Sequence, residues 1–223
     1  MPYLEAATRA RNSEAQFLLG LCLGDPDAGT GHLRKSADAG VPGAAYAYAK
    51  YLLTRKDIGN AALYFRRAAS GGLPEASVEL ASLFAADGDV EEARSLLAAA
   101  AGQGHVEAVY RLGVLLGATA EAVELLRHAA DRGHREAVVR LADVLRDSQP
   151  AKAERLYRQA VDELGVREAQ LSLAALLLSQ GRIAEAEPYF RGAVDDGDAE
   201  AMNFDGCYRV SAETTTPRCT YSV

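Results

Sequence analysis

Two stretches of this chain, "AAGQGHVEAVYRLGVLL" (Ala100–Leu116) and "AADRGHREAVVRLADVL" (Ala129–Leu145), are nearly the same sequence 29 residues apart. Both contain a glycine that is followed four residues later by an alanine. The same spacing recurs along the chain, at Gly40, Gly72, Gly104, Gly133, Gly165 and Gly197. These glycines are 32, 32, 29, 32 and 32 residues apart. A period of this length is typical of proteins that stack one small structural unit many times.

Each repeat predicts two helices. In "EASVELASLF" (Glu75–Phe84) and "EEARSLLAAAA" (Glu91–Ala101) the apolar residues fall at helical spacing. The glycine after the second helix suits a left-handed backbone position, where a Cβ atom would be penalised. In the 29-residue repeats we expect a shortened turn, such as "GATAEA" (Gly117–Ala122), to leave both helices intact.

Composition and charge exclude several classes of protein. The 223 residues are 49% hydrophobic and 25% charged, with a formal net charge of −7. This charge argues against nucleic acid and against an anionic membrane surface as partners. No apolar run reaches the roughly 18 residues of a spanning helix, and the N-terminus lacks the pattern of a secretory signal. We therefore expect a cytoplasmic protein.

No motif of a known catalytic or cofactor site occurs in the chain. The patterns HExxH, GxSxG and GxxxxGK[ST] are absent, which predicts a non-enzyme without a cofactor. Cys22, Cys207 and Cys219 form no CxxC pair. His105 and His134 occupy equivalent repeat positions, which duplication explains, so we expect no metal site.

The small residues of the repeats follow a known family pattern. A small residue in the first helix is followed by a small residue 12 later, a large apolar residue 4 further on and another small residue after 3 more. Three such sets are Ala49, Ala61, Phe65 and Ala68; Ala81, Ala93, Leu97 and Ala100; and Ala174, Ala186, Phe190 and Ala193. Over about residues 3–206 the chain resembles the tetratricopeptide repeat, and more closely its Sel1-like subclass.

The resemblance implies an all-α fold, a right-handed α-solenoid of stacked antiparallel helix pairs. We expect a lone opening helix, six helix pairs and a closing helix. The predicted domains are the solenoid over 1–210 and a flexible Ser/Thr-rich tail over 211–223. The resemblance also implies a non-catalytic adaptor or scaffold, whose first helices line a concave groove for a peptide segment or partner helix.

Carried over by position, the predicted groove has two rows of side chains, although some members could instead pack between neighbouring helices. The first row is Phe17, Tyr46, Val78, Tyr110, Val139 and Leu171, and the second is Lys50, Ser82, Val114 and Asp143.

The two ends of the chain leave alternatives open. "YLEAA" (Tyr3–Ala7) aligns with a second helix, so the chain opens on half a repeat. This predicts that the end packs on a second copy, as a homodimer, on a partner, or on an upstream domain. The tail is read as disordered, as folded back into the groove, or as a modified peptide that the repeats present to a modifying enzyme or protease. Its candidate modified residues are Cys207, Ser211, Thr214, Thr215, Thr216, Cys219, Thr220 and Ser222.

Overall fold

The computed structural model describes residues 12–22 and 26–195, except for the side chains of residues 26–28. This part of the chain consists of α-helices and contains no strand. In chain order the helices are α1 (Ser13–Cys22), α2 (Pro26–Asp38), α3 (Pro42–Thr54), α4 (Ile58–Ser70), α5 (Pro74–Asp87), α6 (Val90–Gly102), α7 (Val106–Leu115), α8 (Ala120–Asp131), α9 (Arg135–Leu145), α10 (Pro150–Arg158), α11 (Ala169–Ser179) and α12 (Ile183–Asp195). A π-helical turn, Gln159–Glu163, continues α10.

The repeat glycines from Gly40 to Gly165 follow the end of a second helix, as predicted, while Gly197 lies outside the described residues. Gly72 has a φ of 87°, and the next residue, Leu73, donates its N–H to the carbonyl of Ala68 at 3.2 Å. This six-residue hydrogen bond is the Schellman cap, which satisfies a carbonyl at the helix end. Gly40, Gly104, Gly133 and Gly165 also have positive φ angles. The glycine spacing therefore fixes where each new repeat begins.

The described helices fall into two compact units, which divide after Leu115. Unit 1 contains α1 to α7, and each of these helices packs on the next; α5 also contacts α7. Unit 2 contains α8 to α12, again with each helix packed on its neighbour in the sequence. The helices of each unit are stacked antiparallel pairs, which confirms the predicted fold class. The predicted domain limits, 1–210 and 211–223, stay predictions, and the expected lone opening and closing helices lie outside the described residues.

The core of each unit is built from small side chains with a few large ones between them. In unit 1, Ala49, Ala61, Phe65 and Ala68 are completely buried. In unit 2, Tyr157 is buried to the same extent. Alanine at the contacts lets neighbouring helices approach closely, while each large residue fills the space between them.

The shorter repeat that begins at Gly104 differs from the prediction in its turn. Its first helix, α7, has 10 residues, compared with 13 in α3, 14 in α5 and 11 in both α9 and α11. Its second helix, α8, has 12 residues, so both helices are present, as expected. The connection between them, residues 116–119, is no shorter than 55–57 or 88–89, so the expected shortening of the turn was wrong.

Candidate functional site

The predicted groove residues all lie on the first helix of a pair. In unit 1, α1 carries Phe17, α3 carries Tyr46 and Lys50, α5 carries Val78 and Ser82, and α7 carries Tyr110 and Val114. In unit 2, α9 carries Val139 and Asp143, and α11 carries Leu171. Most of these side chains are half-buried, and Lys50 is exposed.

Val78 departs from the expected exposed row, since only 3% of it is accessible. Tyr46 and Tyr110 occupy the same repeat position and remain half-buried. The difference follows from length, because a valine side chain ends close to its own helix while a tyrosine ring extends beyond it. Val78 therefore belongs to the core of unit 1 and offers little surface to a ligand.

Tyr46 combines a packed ring with a polar tip. Its ring lies 5.7 Å from the ring of Phe65, at an interplanar angle of 60°. The Glu79 carboxylate on α5 lies close to its hydroxyl. Burial, followed by the charge of Glu79, raises the pKa of Tyr46, so the phenol stays protonated at neutral pH.

Lys50 extends this cluster by one helical turn. Its Nζ lies 2.9 Å from Oε1 of Glu79, which joins α3 to α5. The hydrogen bond to Glu79 raises the pKa of Lys50, although partial burial opposes the shift. Glu79 therefore contacts both of the groove residues that α3 contributes.

A second link joins α5 to α7 in the same way. Arg111 donates from Nη1 to Oγ of Ser82 at 2.5 Å and from Nε to Oε1 of Glu107 at 2.5 Å. Ser82 in turn donates to the carbonyl oxygen of Val78. Two residues of the second row, Lys50 and Ser82, thus each contact the first helix of the following repeat. In both pairs the partner lies 29 positions further along the chain.

Sequence reasoning missed Glu79, Arg111 and Glu107 as members of this surface. The available signal was that Glu79 and Arg111 occupy equivalent repeat positions with opposite charge, next to the predicted rows. The surface of unit 1 is therefore an alternation of tyrosine rings and fixed charges, and it is more polar than the row of apolar residues that the resemblance implies.

Asp143 has a structural role in unit 2. Tyr157, which is fully buried, donates its hydroxyl to Oδ1 of Asp143 at 2.5 Å, and Arg140 lies 3.3 Å from Oδ2. Burial and the Asp143 charge raise the pKa of Tyr157 above its ordinary range. Asp143 thereby fastens α10 to α9.

The repeat-equivalent histidines cap helices. His105 Nδ1 accepts a hydrogen bond from the backbone N–H of Ala108, and His134 Nδ1 accepts one from Ala137, both at 3.3 Å. Among the described residues no three His, Cys, Asp or Glu side chains cluster as metal ligands would. This capping was not predicted, because histidine is not among the residues that usually cap a helix N-terminus.

Several predicted features cannot be placed. The N-terminal half-repeat and the candidate modified residues from Cys207 to Ser222 lie outside the described residues. Cys22, at the end of α1, is an exposed free thiol. Among the described helices, none is both long and apolar enough to cross a membrane.

Comparison with known proteins agrees with this architecture. The tetratricopeptide-repeat family matches residues 139–201. The chain superposes with a TM-score of 0.78 on c5321, a protective antigen of uropathogenic Escherichia coli strains with an SLR fold, at 22% identity over 90% of this chain and 49% of that one. The chain thus spans about half the length of c5321.

Two further structures extend the comparison. The Sel1 repeat protein from Oxalobacter formigenes has a TM-score of 0.70 and 22% identity, over 91% of this chain and 67% of that one. YrrB, described as a tetratricopeptide-repeat protein with an unusual peptide-binding site, has a TM-score of 0.57 and 14% identity, over 78% of this chain and 97% of that one. No curated protein matches the sequence. The similarity to the tetratricopeptide repeat is therefore confirmed for residues 139–201, and the Sel1-like structures, at 22% identity, show that the chain shares their fold.

Proposed function

We propose that this protein is a non-catalytic adaptor that binds a peptide segment or a partner helix on the first-helix surface of unit 1. The observation that carries the proposal is the joined set Tyr46, Lys50, Glu79, Ser82 and Arg111. These side chains form one continuous surface across three consecutive first helices, α3, α5 and α7.

The chemistry of this surface suits peptide recognition. Tyrosine and arginine are enriched among the residues that dominate binding energy, because they combine apolar area with polar groups. The Lys50–Glu79 and Arg111–Ser82 contacts hold long side chains in place before a ligand arrives. A ligand would therefore lose less free energy in ordering them than it would on a surface of free side chains.

The fold supports the same proposal at a coarser level. Stacked helical repeats generally act as protein–protein interaction scaffolds, since the stack offers an extended surface. YrrB, which shares the fold, has a peptide-binding site. A cytoplasmic location and a homodimer formed through the N-terminal half-repeat are proposals that rest on the sequence alone.

A paired set of variants tests the groove. Tyr46→Ala/Tyr110→Ala removes two rings from the proposed surface, while Leu63→Ala/Val90→Ala removes two exposed side chains from the second helices of the same unit. A photo-crosslinking residue introduced at Val114, a predicted groove residue outside the joined set, identifies partners in a lysate of the native host. We expect the crosslinked partner to be lost in the tyrosine variant and retained in the matched control, with unchanged helicity by circular dichroism.

A truncated chain ending at Val210 separates this proposal from the carrier alternative. If partner capture survives truncation and fails in the tyrosine variant, the groove is the functional site. If capture instead depends on the last residues, and the captured protein is a modifying enzyme or a protease, the adaptor proposal is wrong.

A further inference from the structure

A cleft of about 360 Å³ lies in unit 2 between α8, α9 and α10, and it is here called the α8–α10 cleft. Its lining residues are Arg127, Ala130, Asp131, Val138, Leu141, Leu145, Lys152, Arg155, Leu156 and Gln159. The floor comes from Val138, Leu141 and Leu145 of α9, which share one helix face. Val139 and Asp143 lie on a different face of the same helix, so this cleft is distinct from the predicted groove.

The rim of the cleft is positively charged. Three cations, Arg127, Lys152 and Arg155, surround it with a single carboxylate, Asp131. Arg127 is paired with Glu124 at 2.6 Å. Lys152 and Arg155 are exposed, and within the described ranges neither side chain has a hydrogen bond or an ion pair. In a chain with a net charge of −7, these two free cations stand on one helix face, since they are three residues apart.

Unit 1 contains an equivalent cleft, which shows what is unusual in unit 2. It measures about 750 Å³ and is lined by the counterparts Ala37, Asp38 and Ala45. Its carboxylate, Asp38, is already hydrogen-bonded within unit 1. Arg67 donates to it at 2.8 Å, and the Tyr64 hydroxyl donates to it at 2.9 Å.

The second helices α4 and α10 are aligned on their completely buried residues, Ala61 with Ala153 and Phe65 with Tyr157. In this alignment Leu156 and Gln159 replace Tyr64 and Arg67, so unit 2 cannot form the contacts that pair Asp38. The positions of the neutral residues Asn60 and Leu63 hold Lys152 and Arg155. The unit 1 cleft is lined by Arg67, which is paired with Asp38, and by Arg66, which lies over the Phe84 ring. The unit 2 cleft differs because Lys152 and Arg155 have neither kind of contact above its apolar floor.

We propose that the α8–α10 cleft binds an acidic segment of a partner protein, with an apolar side chain on the floor and carboxylates at Lys152 and Arg155. A volume of about 360 Å³ falls within the usual ~300–1,000 Å³ of ligand pockets. Charge complementarity selects an acidic ligand, and the apolar floor selects a peptide over a nucleic acid.

The probe for this site is a synthetic amphipathic peptide that carries leucines along one face and glutamates along the other. Its fluorescence anisotropy is titrated with the full chain at low and at physiological salt. The cleft variant is Lys152→Glu/Arg155→Glu. The matched control, Arg132→Glu/Arg135→Glu, makes the same change of charge at two exposed arginines of unit 2 that do not line the cleft.

We expect saturable binding that weakens at least about tenfold in the cleft variant, that changes less than about twofold in the control, and that falls as salt screens the charges. A companion peptide with serine in place of leucine should also bind more weakly. The Tyr46→Ala/Tyr110→Ala variant should bind the probe normally, so a failure here leaves the groove proposal untouched.

Four binding results would overturn the inference. They are no binding of the acidic peptide, equal loss in the cleft and control variants, equal binding of a peptide with lysine in place of glutamate, and displacement of the probe by a single-stranded oligonucleotide at lower concentration than by unlabelled peptide. Concentration-dependent dimerisation that Lys152→Glu/Arg155→Glu abolishes would identify a second copy as the occupant, and would equally contradict a partner segment. Circular dichroism checks that each variant is folded.

Discussion

At the scale of single residues, two glycines of unit 1 have opposite structural requirements. Gly72 has a φ of 87°, where any side chain is strained, whereas Gly59 lies inside α4 with helical geometry. A Cβ atom added at either position meets nothing within 4 Å. The two sites therefore differ in backbone conformation and not in packing.

This difference predicts stability changes of opposite sign. Gly72→Ala should lower the free energy of unfolding by about 1 kcal/mol, because alanine is disfavoured in the left-handed region. Gly59→Ala should raise it by about 0.5 kcal/mol, because alanine restricts the unfolded chain and favours the helix. Urea denaturation of both variants against the parent measures the changes, and an equal shift in the same direction would contradict the argument.

Individual residues were predictable from sequence where local geometry decides their role. The left-handed glycines and the buried alanines of the repeat follow from spacing, because each is fixed by its own helix and turn. The contacts of Glu79 and Arg111 were not predictable. These contacts depend on whether a long side chain can span the distance between the first helices of adjacent repeats. The residues beside Glu79 and Arg111 in the sequence do not determine that distance.

At the scale of helices, α10 and α12 are joined by an ion-pair network in unit 2. Glu154 on α10 accepts from Arg182, just before α12, at 2.6 Å and from Arg158 at 3.1 Å. Arg182 also binds Glu185, and Arg158 donates to the hydroxyl of Tyr189. Hydrogen bonding to Arg182 lowers the pKa of the Glu154 carboxyl below its ordinary value of 4.5, although burial opposes the shift.

The network predicts a pH-dependent effect of Glu154→Gln. The pKa of Glu154 is lower in the folded protein than its ordinary value of 4.5, which the unfolded chain retains. The carboxylate therefore makes its full contribution to stability above pH 4.5, and this contribution is lost as the pH falls through the pKa of the folded state. We expect the variant to be less stable by about 1 kcal/mol at neutral pH and the difference to shrink in acid.

Urea midpoints measured at neutral pH and at about pH 3 test this expectation. Glu163→Gln is the matched control, because Glu163 is exposed and makes no ion pair with any residue that the structure describes. A constant difference between parent and Glu154→Gln across this range would contradict the assigned role of the carboxylate.

Helix lengths were only partly predictable from the sequence. The two-helix repeat was correct, but the 10-residue α7 was not foreseen. A deletion can be absorbed by a turn or by the end of a helix, and the repeat alignment does not distinguish the two. The π-helical turn at Gln159–Glu163 was missed for a similar reason, since one extra residue in a turn leaves the apolar period almost unchanged.

At the scale of the whole molecule, each helix depends mainly on its neighbours in the sequence. Within each unit the helix contacts connect helices that are adjacent or nearly adjacent in the chain. Stability in such a stack is approximately a sum of local terms, so damage should stay local. The repeat period predicted this stacking, but the division after Leu115 was not predictable, because the buried repeat pattern continues through Leu112, Ala122 and Leu126.

Local damage can be tested with a reciprocal pair of core variants. Phe65 in unit 1 and Leu177 in unit 2 are both completely buried. Phe65→Ala should cost about 3–5 kcal/mol and Leu177→Ala about 2–5 kcal/mol. Hydrogen exchange should accelerate mainly in α3 to α5 for the first variant and in α10 to α12 for the second. Uniform acceleration over all helices in both variants would show that the chain unfolds as one cooperative body.

The links between first helices in unit 1 also bear on how such a chain can change during evolution. Lys50 meets Glu79, and Ser82 meets Arg111, so each contact needs partners from two different repeats. If a gene rearrangement placed the repeat containing Arg111 directly after the one containing Lys50, two cations would face each other at the junction. The contacts between neighbouring repeats therefore constrain the order of the repeats. Recombination can duplicate or exchange a repeat without loss only if the partner residue in the adjacent repeat moves with it.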